Sequence, residues 1–450
     1  MIHSHRRILA IAAPIILSNL SVPLVGLVDT AVMGRLPDPA YLGAVALGAT
    51  IFSFLYWGFG FLRMGTTGLI AQAAGRRDGA AVRQLVLNNL ALAGALAAIV
   101  LLMQWPLGRL AAALLPADPV IESAMLDYYR IRVWSAPAVL ANYVLMGVFI
   151  GLQRTGLALA VQLLLNLTNA ALSVLFVIGM GAGIAGVAAA SLIAEYLAIG
   201  AALMLLPLAL RSLPGRWQPS VLGEIARYRA LLNINGDIFL RTLCLIFAFG
   251  WFNARSAALG EINLAVNAVL LQLVHVLAYG LDGFAHAAET LVGHALGAGR
   301  RDTYRWAVRA SSLWAGLTAA LYSIVYLLLG EAAIAALTTI PAVREAAAVY
   351  LPWLVLIPLV AVWSYQLDGI FVGSLRSREM RNAMLLSLLA FLGVAAVAEP
   401  LLANHGLWLS LVIFFVARAL TLGDALRRTP PAFDPGSPVQ RTADIIKETT

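Results

Sequence analysis

Carboxylic acids interrupt stretches of this chain that are otherwise apolar: Asp29, Asp237, Asp282, Glu289 and Asp368. Asp29 stands in "SVPLVGLVDTAVMG", within a largely apolar run from Ile8 to Met33. An ionised aspartate at the centre of a membrane helix costs about 2.5–3.5 kcal/mol on insertion scales, so it faces a cavity or a partner. A proton removes that charge, so the group can exchange a proton for a cationic ligand. The competing reading is a permanent salt bridge, with Arg63 as a candidate cation. Asp237 and Arg241 are spaced i,i+4 and can neutralise each other on one helix. Asp282 and Glu289, seven residues apart, share a helix face. Together with Asp237 and Arg241 they form a candidate cation or substrate site, and they are equally placed to pair with Arg241. Glu195 lies in another apolar run, and Glu399, just before Pro400, reads as a solvated residue of an outer loop.

The elements that position these groups follow from composition. Of 450 residues, 61% are hydrophobic and 12% charged, with a mean hydropathy of +0.88. A soluble chain carries about 25% charged residues. Apolar stretches long enough to cross a ~30 Å hydrocarbon core recur throughout. Hydropathy and turn residues predict twelve membrane helices, near 8–33, 42–72, 83–104, 122–150, 157–178, 184–209, 229–254, 262–295, 305–329, 343–373, 381–401 and 405–426. The breaks, such as "RLPDPAY", "GRRDG", "QRTG" and "GAGRRD", carry the Gly, Pro and charge that end helices. The first run is too long for the apolar core of a signal peptide and reads as a retained helix.

Basic residues alternate sides. One side receives Arg6, Arg7, Arg76, Arg77, Arg83, Arg154, Arg211, Arg216, Arg227, Arg229, Arg300, Arg301, Arg305, Arg309, Arg376, Arg378, Arg381, Arg427 and Arg428. The other receives only Arg35, Arg109, Arg255 and Arg344. The rich side is cytoplasmic by the positive-inside rule, which puts both termini there. Topology thus accounts for the net charge of +8 without nucleic acid. A bacterial inner membrane is the expected location, and Lys447 as the only lysine hints at a GC-rich bacterial genome.

The chain also repeats itself. "YVLMGVFIGLQRTG" from Tyr143 matches "YQLDGIFVGSLRSR" from Tyr365, and "LIAQAAG" from Leu69 matches "LVGHALG" from Leu291, at a constant offset of 222. An Arg-Arg-Asp triplet follows the second match in each half, at Arg76–Asp78 and Arg300–Asp302. Six helices per period, an even number, keep both halves the same way up. That predicts an all-α polytopic protein of two six-helix lobes in parallel repeat around a central cavity. The expected divisions are an N-lobe over 1–210, a cytoplasmic linker over 211–228, a C-lobe over 229–428 and a disordered tail over 429–450. The acids are not duplicated. At the same offset, the mates of Asp29, Asp282 and Glu289 are Trp251, Gly60 and Thr67, and that of Asp368 is Met146.

Several chemistries are set aside. Cys244 is the only cysteine, so no intramolecular disulfide forms. "GAGIAG" from Gly181 lacks the strand–turn–helix context of a dinucleotide site, and there is no Walker A sequence. His286, Glu289 and His294 lack zincin spacing. Neither enzyme chemistry, nor a cofactor, nor a bound metal is expected.

The segments "PIILSNLSVPLVGLVDTAVMG", "YLGAVALG" and "GFLRMGTTGLIAQAAG" resemble signatures of the multidrug and toxic compound extrusion (MATE) transporters. "NINGDIFLRTL" and "LDGFAHAAETLVG" fit the DinF-like branch. The resemblance covers nearly all twelve spans. It implies export of organic cations or other amphiphilic compounds in exchange for protons or sodium. The chain is expected to work as a monomer among membrane lipids. It makes Asp29 the expected coupling carboxylate and Pro14 the residue at which the first helix bends. Asn142, Tyr143, Asn166 and Asn169 then form the supporting polar network, with Arg63 beside it. Many relatives carry a second acid four residues after the position of Asn169, where this chain has Ser173, which favours protons over sodium. A flippase for lipid-linked precursors, of related architecture, is the rival reading; its pyrophosphate ligand would call for a basic cavity, and the candidates here are mostly acidic.

Overall fold

The computed structural model describes residues 4–34, 39–115, 117–219 and 225–429. Arg35, part of the linker and residues 430–450 of the expected tail lie outside them. The described residues form fifteen α-helices, in chain order: α1 His5–Met33, α2 Pro39–Gly58, α3 Phe61–Gly75, α4 Gly79–Leu102, α5 Gln104–Leu114, α6 Pro119–Arg132, α7 Ala136–Gly151 and α8 Thr155–Val174. The second half continues with α9 Gly183–Leu210, α10 Ile225–Ala258, α11 Glu261–Gly297, α12 Arg301–Leu337, α13 Pro341–Gly373, α14 Ser377–Leu402 and α15 Asn404–Arg428.

Twelve stretches among them are long and apolar enough to cross a membrane. Two crossings are built from broken helices. Phe59 lies between Gly58 and Gly60, where poor helix formers part α2 from α3. A 3-10 turn over Val133–Ser135 joins α6 to α7, whose second residue is Pro137. A π turn over Leu175–Gly179 ends α8. At about 1.5 Å per residue α5 is too short to cross. It exposes Trp105, with the Arg109 guanidinium 3.7 Å from the ring centre.

The chain packs into two compact units, one of Leu17–Leu231 and one of residues up to Ile16 with Leu232 onward. The division runs through α1, just after Pro14. In the unit containing Ile16, a Cβ on Gly283 of α11 would meet the Ala12 carbonyl at 3.0 Å, and Trp314 Nε1 donates to His5 Nδ1 at 3.0 Å. In the other unit Arg83 Nη1 donates to the Leu213 carbonyl at 2.6 Å, which holds the start of the linker against α4.

The 222-residue offset reappears in the backbone. A Cβ on Gly147 would lie 2.6 Å from the Arg63 carbonyl, and one on Gly369 would lie 2.1 Å from that of Ala285. Gly151 faces the Thr67 carbonyl as Gly373 faces that of Glu289. Close approach through small residues is how membrane helices gain packing energy without a hydrophobic driving force. The helix ends repeat as well: Arg77 (φ 59°) and Gly299 (φ 65°) are left-handed, as are Gln153 (φ 59°) and Leu375 (φ 55°). Asp78 N–H closes the end of α3 on the Ala73 carbonyl, and Arg300 N–H closes α11 on that of Ala295. In this register the two Arg-Arg-Asp triplets do not correspond. Asp78 caps α4 by accepting from Ala81 N–H at 2.9 Å, whereas Arg300 holds the equivalent place before α12 and Asp302 falls in its first turn.

Candidate functional site

In the Leu17–Leu231 unit a polar seam joins α1 to α8. Asn166, Asn169 and Ser173 lie at i, i+3 and i+7 on α8 and so share one face. Ser173 Oγ donates to Asp29 Oδ1 at 2.9 Å, and Asn166 Nδ2 donates to Ser21 Oγ at 2.6 Å. Ser21 and Asp29 are eight residues apart and their partners seven, so two parallel helices meet over two turns. Gln162 Nε2 donates to Asn166 Oδ1 at 3.0 Å, and Asn169 Nδ2 reaches on to Ser191 Oγ of α9 at 2.7 Å. Asp29 itself is partly exposed, whereas Ser173 is fully buried.

The same unit holds a buried ion pair. Arg132, the last residue of α6, stands 3.6 Å from Glu195 Oε1 on α9. Its Nη1 donates to Ser135 Oγ at 3.2 Å, which is 2.8 Å from the Tyr56 hydroxyl, and the guanidinium lies 5.8 Å from the centre of the Phe52 ring. The Arg132 guanidinium acts on Asp29 through its charge. Arg63 and Glu195 both act on Tyr143. Asn142 is buried on α7, and its Oδ1 has no hydrogen-bond partner among the described residues. Pro14 lies within α1, where it supplies no N–H to the helix ladder.

The other unit arranges its charges differently. Arg241 does not pair with Asp237. The i,i+4 spacing permits that contact, yet each residue finds its partner on another helix. Asp237 Oδ1 accepts from Arg381 Nη1 at 2.7 Å and Asp237 Oδ2 accepts from Ser377 Oγ at 2.8 Å, both on α14. Arg241 closes instead on Asp368 of α13. Arg418 of α15, almost wholly buried, grips the same carboxylate, with Nε 3.3 Å from Oδ1 and Nη2 also in contact. Asp282 acts on both arginines and on Tyr365. Glu289 lies against His286 Nδ1 at 2.8 Å. The four residues proposed for one site are thus divided among three clusters. Glu399 is likewise buried rather than solvated: it lies within α14 and takes Arg255 Nε at 2.8 and 3.0 Å.

Sequence reasoning passed over Arg132 and Arg418. Each interrupts an apolar span, "YYRIRVWS" and "FFVARALTLG". The cost argument that singled out Asp29 applies equally to a guanidinium and would have found both. Asn267 also lacked a signal. Its amide joins Ser256, Asn404 and Trp408 in one buried knot, at 2.7, 2.6 and 2.9 Å.

The MatE family model matches residues 14–175 and again residues 238–401, two copies that begin close to the offset of the motif and backbone repeats. The chain belongs to the MatE family. DNA damage-inducible protein F of Escherichia coli (strain K12) is 41% identical to it over 420 residues, 93% of this chain and 91% of that one. Two solved structures share the fold with it. A MATE protein crystallised in a bent conformation superposes with a TM-score of 0.85 at 19% identity, covering 100% of this chain and 98% of that one. A MOP superfamily transporter from Pyrococcus furiosus, its binding pocket described as of reversed polarity, gives 0.85 at 17% over 99% and 98%. Membership and twelve apolar helices make the MatE chain a multi-pass membrane transporter and point to transport rather than catalysis.

Proposed function

We propose that the chain is a secondary antiporter that exports cationic or amphiphilic small molecules in exchange for protons, with Asp29 as the coupling carboxylate. One observation carries the reading: Asp29 is held by the hydroxyl of Ser173, whereas Asp237, Asp368 and Glu399 are each held by a guanidinium. A hydroxyl supports either charge state, donating to a carboxylate or accepting from a carboxylic acid. Asp29 is therefore free to change charge within the bilayer. Ser173 also leaves the site without a second adjacent carboxylate, which favours a proton over a sodium ion.

In the cycle, Asp29 takes a proton while its seam is open to the outer side, losing its attraction for a cationic substrate, which leaves. Inward opening releases the proton and restores the negative charge that receives the next substrate. Pro14, just ahead of the division within α1, is the place for the helix to bend. A proton crossing 100 mV releases about 2.3 kcal/mol, enough for roughly fiftyfold accumulation of a neutral substrate. The excess of arginine in one set of loops favours a cytoplasmic side for both termini, and a monomer in a bacterial inner membrane suffices for the cycle.

The test is proton flux in proteoliposomes under a pH gradient, triggered by ethidium or a phosphonium cation. Substrate-triggered flux is expected in the parent and should fall at least tenfold in Asp29→Asn, with or without sodium. Undiminished flux in a folded Asp29→Asn protein would overturn the assignment. Exchange supported only by sodium would overturn the choice of ion.

A further inference from the structure

The short helix α5 stands at a defined depth. It begins one residue after α4, whose 24 residues make it about 36 Å long, enough to cover a ~30 Å hydrocarbon core. The first turns of α5 therefore lie where hydrocarbon gives way to headgroups, on the side away from the arginine-rich loops. One face of the helix is committed to protein. Gln104, Gly108 and Ala111 recur at i, i+4 and i+7 on that face. The Tyr129 hydroxyl of α6 donates to the Gln104 carbonyl at 2.9 Å, and a Cβ on Gly108 would meet the Tyr129 ring at 3.0 Å. Outward stand Trp105, Arg109, Leu110 and Leu114, all exposed, with Leu102 just before them.

Arg109 is stacked one turn beyond Trp105, its guanidinium 3.7 Å from the ring centre. Stacking leaves the N–H groups at the rim of the guanidinium plane turned to outside acceptors. Other arginines at this end of the spans are already committed. Arg255 gives Nε to both oxygens of Glu399, and Arg344 gives Nε and Nη2 to the carbonyls of Thr338 and Ala335. Arg130, on the helix beside α5, gives Nη1 to Asp127. Arg109 donates to no acceptor among the described residues. At the offset of 222 the mates of Trp105 and Arg109 are Leu327 and Glu331, so the other half has no counterpart of the pair.

We infer that Trp105 and Arg109 form a binding site for the phosphodiester of a phospholipid headgroup in the outer leaflet. The indole suits headgroup depth, with an apolar body and a polar edge. The guanidinium stacked on it offers phosphate oxygens paired N–H donors in a planar fork. Leu102, Leu110 and Leu114 flank the pair and give acyl chains an apolar surface, which a free phosphate could not use. The lipid also has a structural consequence. Tyr129 bonds the start of α5 to α6, and α6 leads through the 3-10 turn into α7. A headgroup held at Arg109 thus anchors the outer end of that broken crossing at one depth in the leaflet.

The test is native mass spectrometry of the full chain in mild detergent, titrated with phosphatidylglycerol. Arg109→Gln should bind the first phosphatidylglycerol about fivefold more weakly than the parent. Trp105→Leu keeps an apolar surface but removes the stacking platform, and should weaken the same lipid about twofold. Arg344→Gln, on the same side of the membrane, should bind it as the parent does. Arg109→Gln should also melt with the parent, because the side chain holds no other part of the described chain. Equal lipid binding by the parent and Arg109→Gln would overturn the inference. Displacement of the lipid by millimolar inorganic phosphate would overturn it as well, by making the ligand a free anion. Loss of a dimer rather than of lipid in Arg109→Gln would give the face to a second copy of the chain, and the inference would fall.

Discussion

The two halves of the chain share their backbone devices and differ in their charges. Gly147 and Gly369 approach equivalent carbonyls, and left-handed residues end equivalent helices. Yet Asp29 in the first half rests on a serine hydroxyl, while Asp368 in the second is gripped by Arg241 and Arg418. A repeated scaffold thus carries an acid held by a hydroxyl in one half and an acid gripped by two guanidinium groups in the other. The difference lies in the partner. A guanidinium buried with its carboxylate cannot lose that carboxylate's charge without being left unpaired in the bilayer, whereas a hydroxyl loses nothing comparable when the acid is protonated.

That contrast breaks most visibly at Asp368. Asp368→Ala takes from Arg241 and Arg418 the carboxylate that both grip, leaving Asp282 as the acid that acts on them, and a loss of about 3–5 kcal/mol is expected. It should be read as a large fall in melting temperature, or no monodisperse protein, while Asp29→Asn melts close to the parent. Equal melting of the two variants would erase the distinction. A smaller effect tests the shared scaffold. Gly369→Ala and Gly147→Ala should each cost about 1–3 kcal/mol through overpacking, with Gly369 the worse because its added Cβ would lie 2.1 rather than 2.6 Å from a carbonyl. Thermal melting that ranks them in reverse would show that the halves pack unequally. The smallest effect sharpens the role of the hydroxyl. Ser173→Ala removes a donor that favours the ionised form of Asp29, so the half-maximal pH of exchange should rise by about one unit or less, with the fold intact.

Much of the architecture was legible in the sequence because apolar length and glycine spacing are local signals. The twelve spans follow from residue runs that must cover the hydrocarbon core, and the repeat was visible in Gly147, Gly151, Gly369 and Gly373 before any contact was known. Asp29 was legible because its type is costly where it stands. Its partner was legible only through the resemblance, which put Ser173 where many relatives carry a second acid; a serine in an apolar run gives no signal of its own, and the pairing of α1 with α8 supplies its bond to Asp29. Asp237 and Arg241 show the opposite failure. A spacing that allows a pair within one helix says nothing of the arginine that another helix, here α14, offers.

By itself the sequence determined that this chain crosses a membrane twelve times, repeats its design, and keeps a few ionisable groups where ionisation is expensive. Backbone hydrogen bonds must close within each span in hydrocarbon, so helices follow directly from the apolar runs. Only the tertiary structure decided which charge meets which. Lateral packing of helices, fixed by small residues and close carbonyls, sets Asp368 between two arginines and leaves Asp29 with a hydroxyl. Interaction energies between charges depend on distances and desolvation across helices, and residue order along one helix does not contain them.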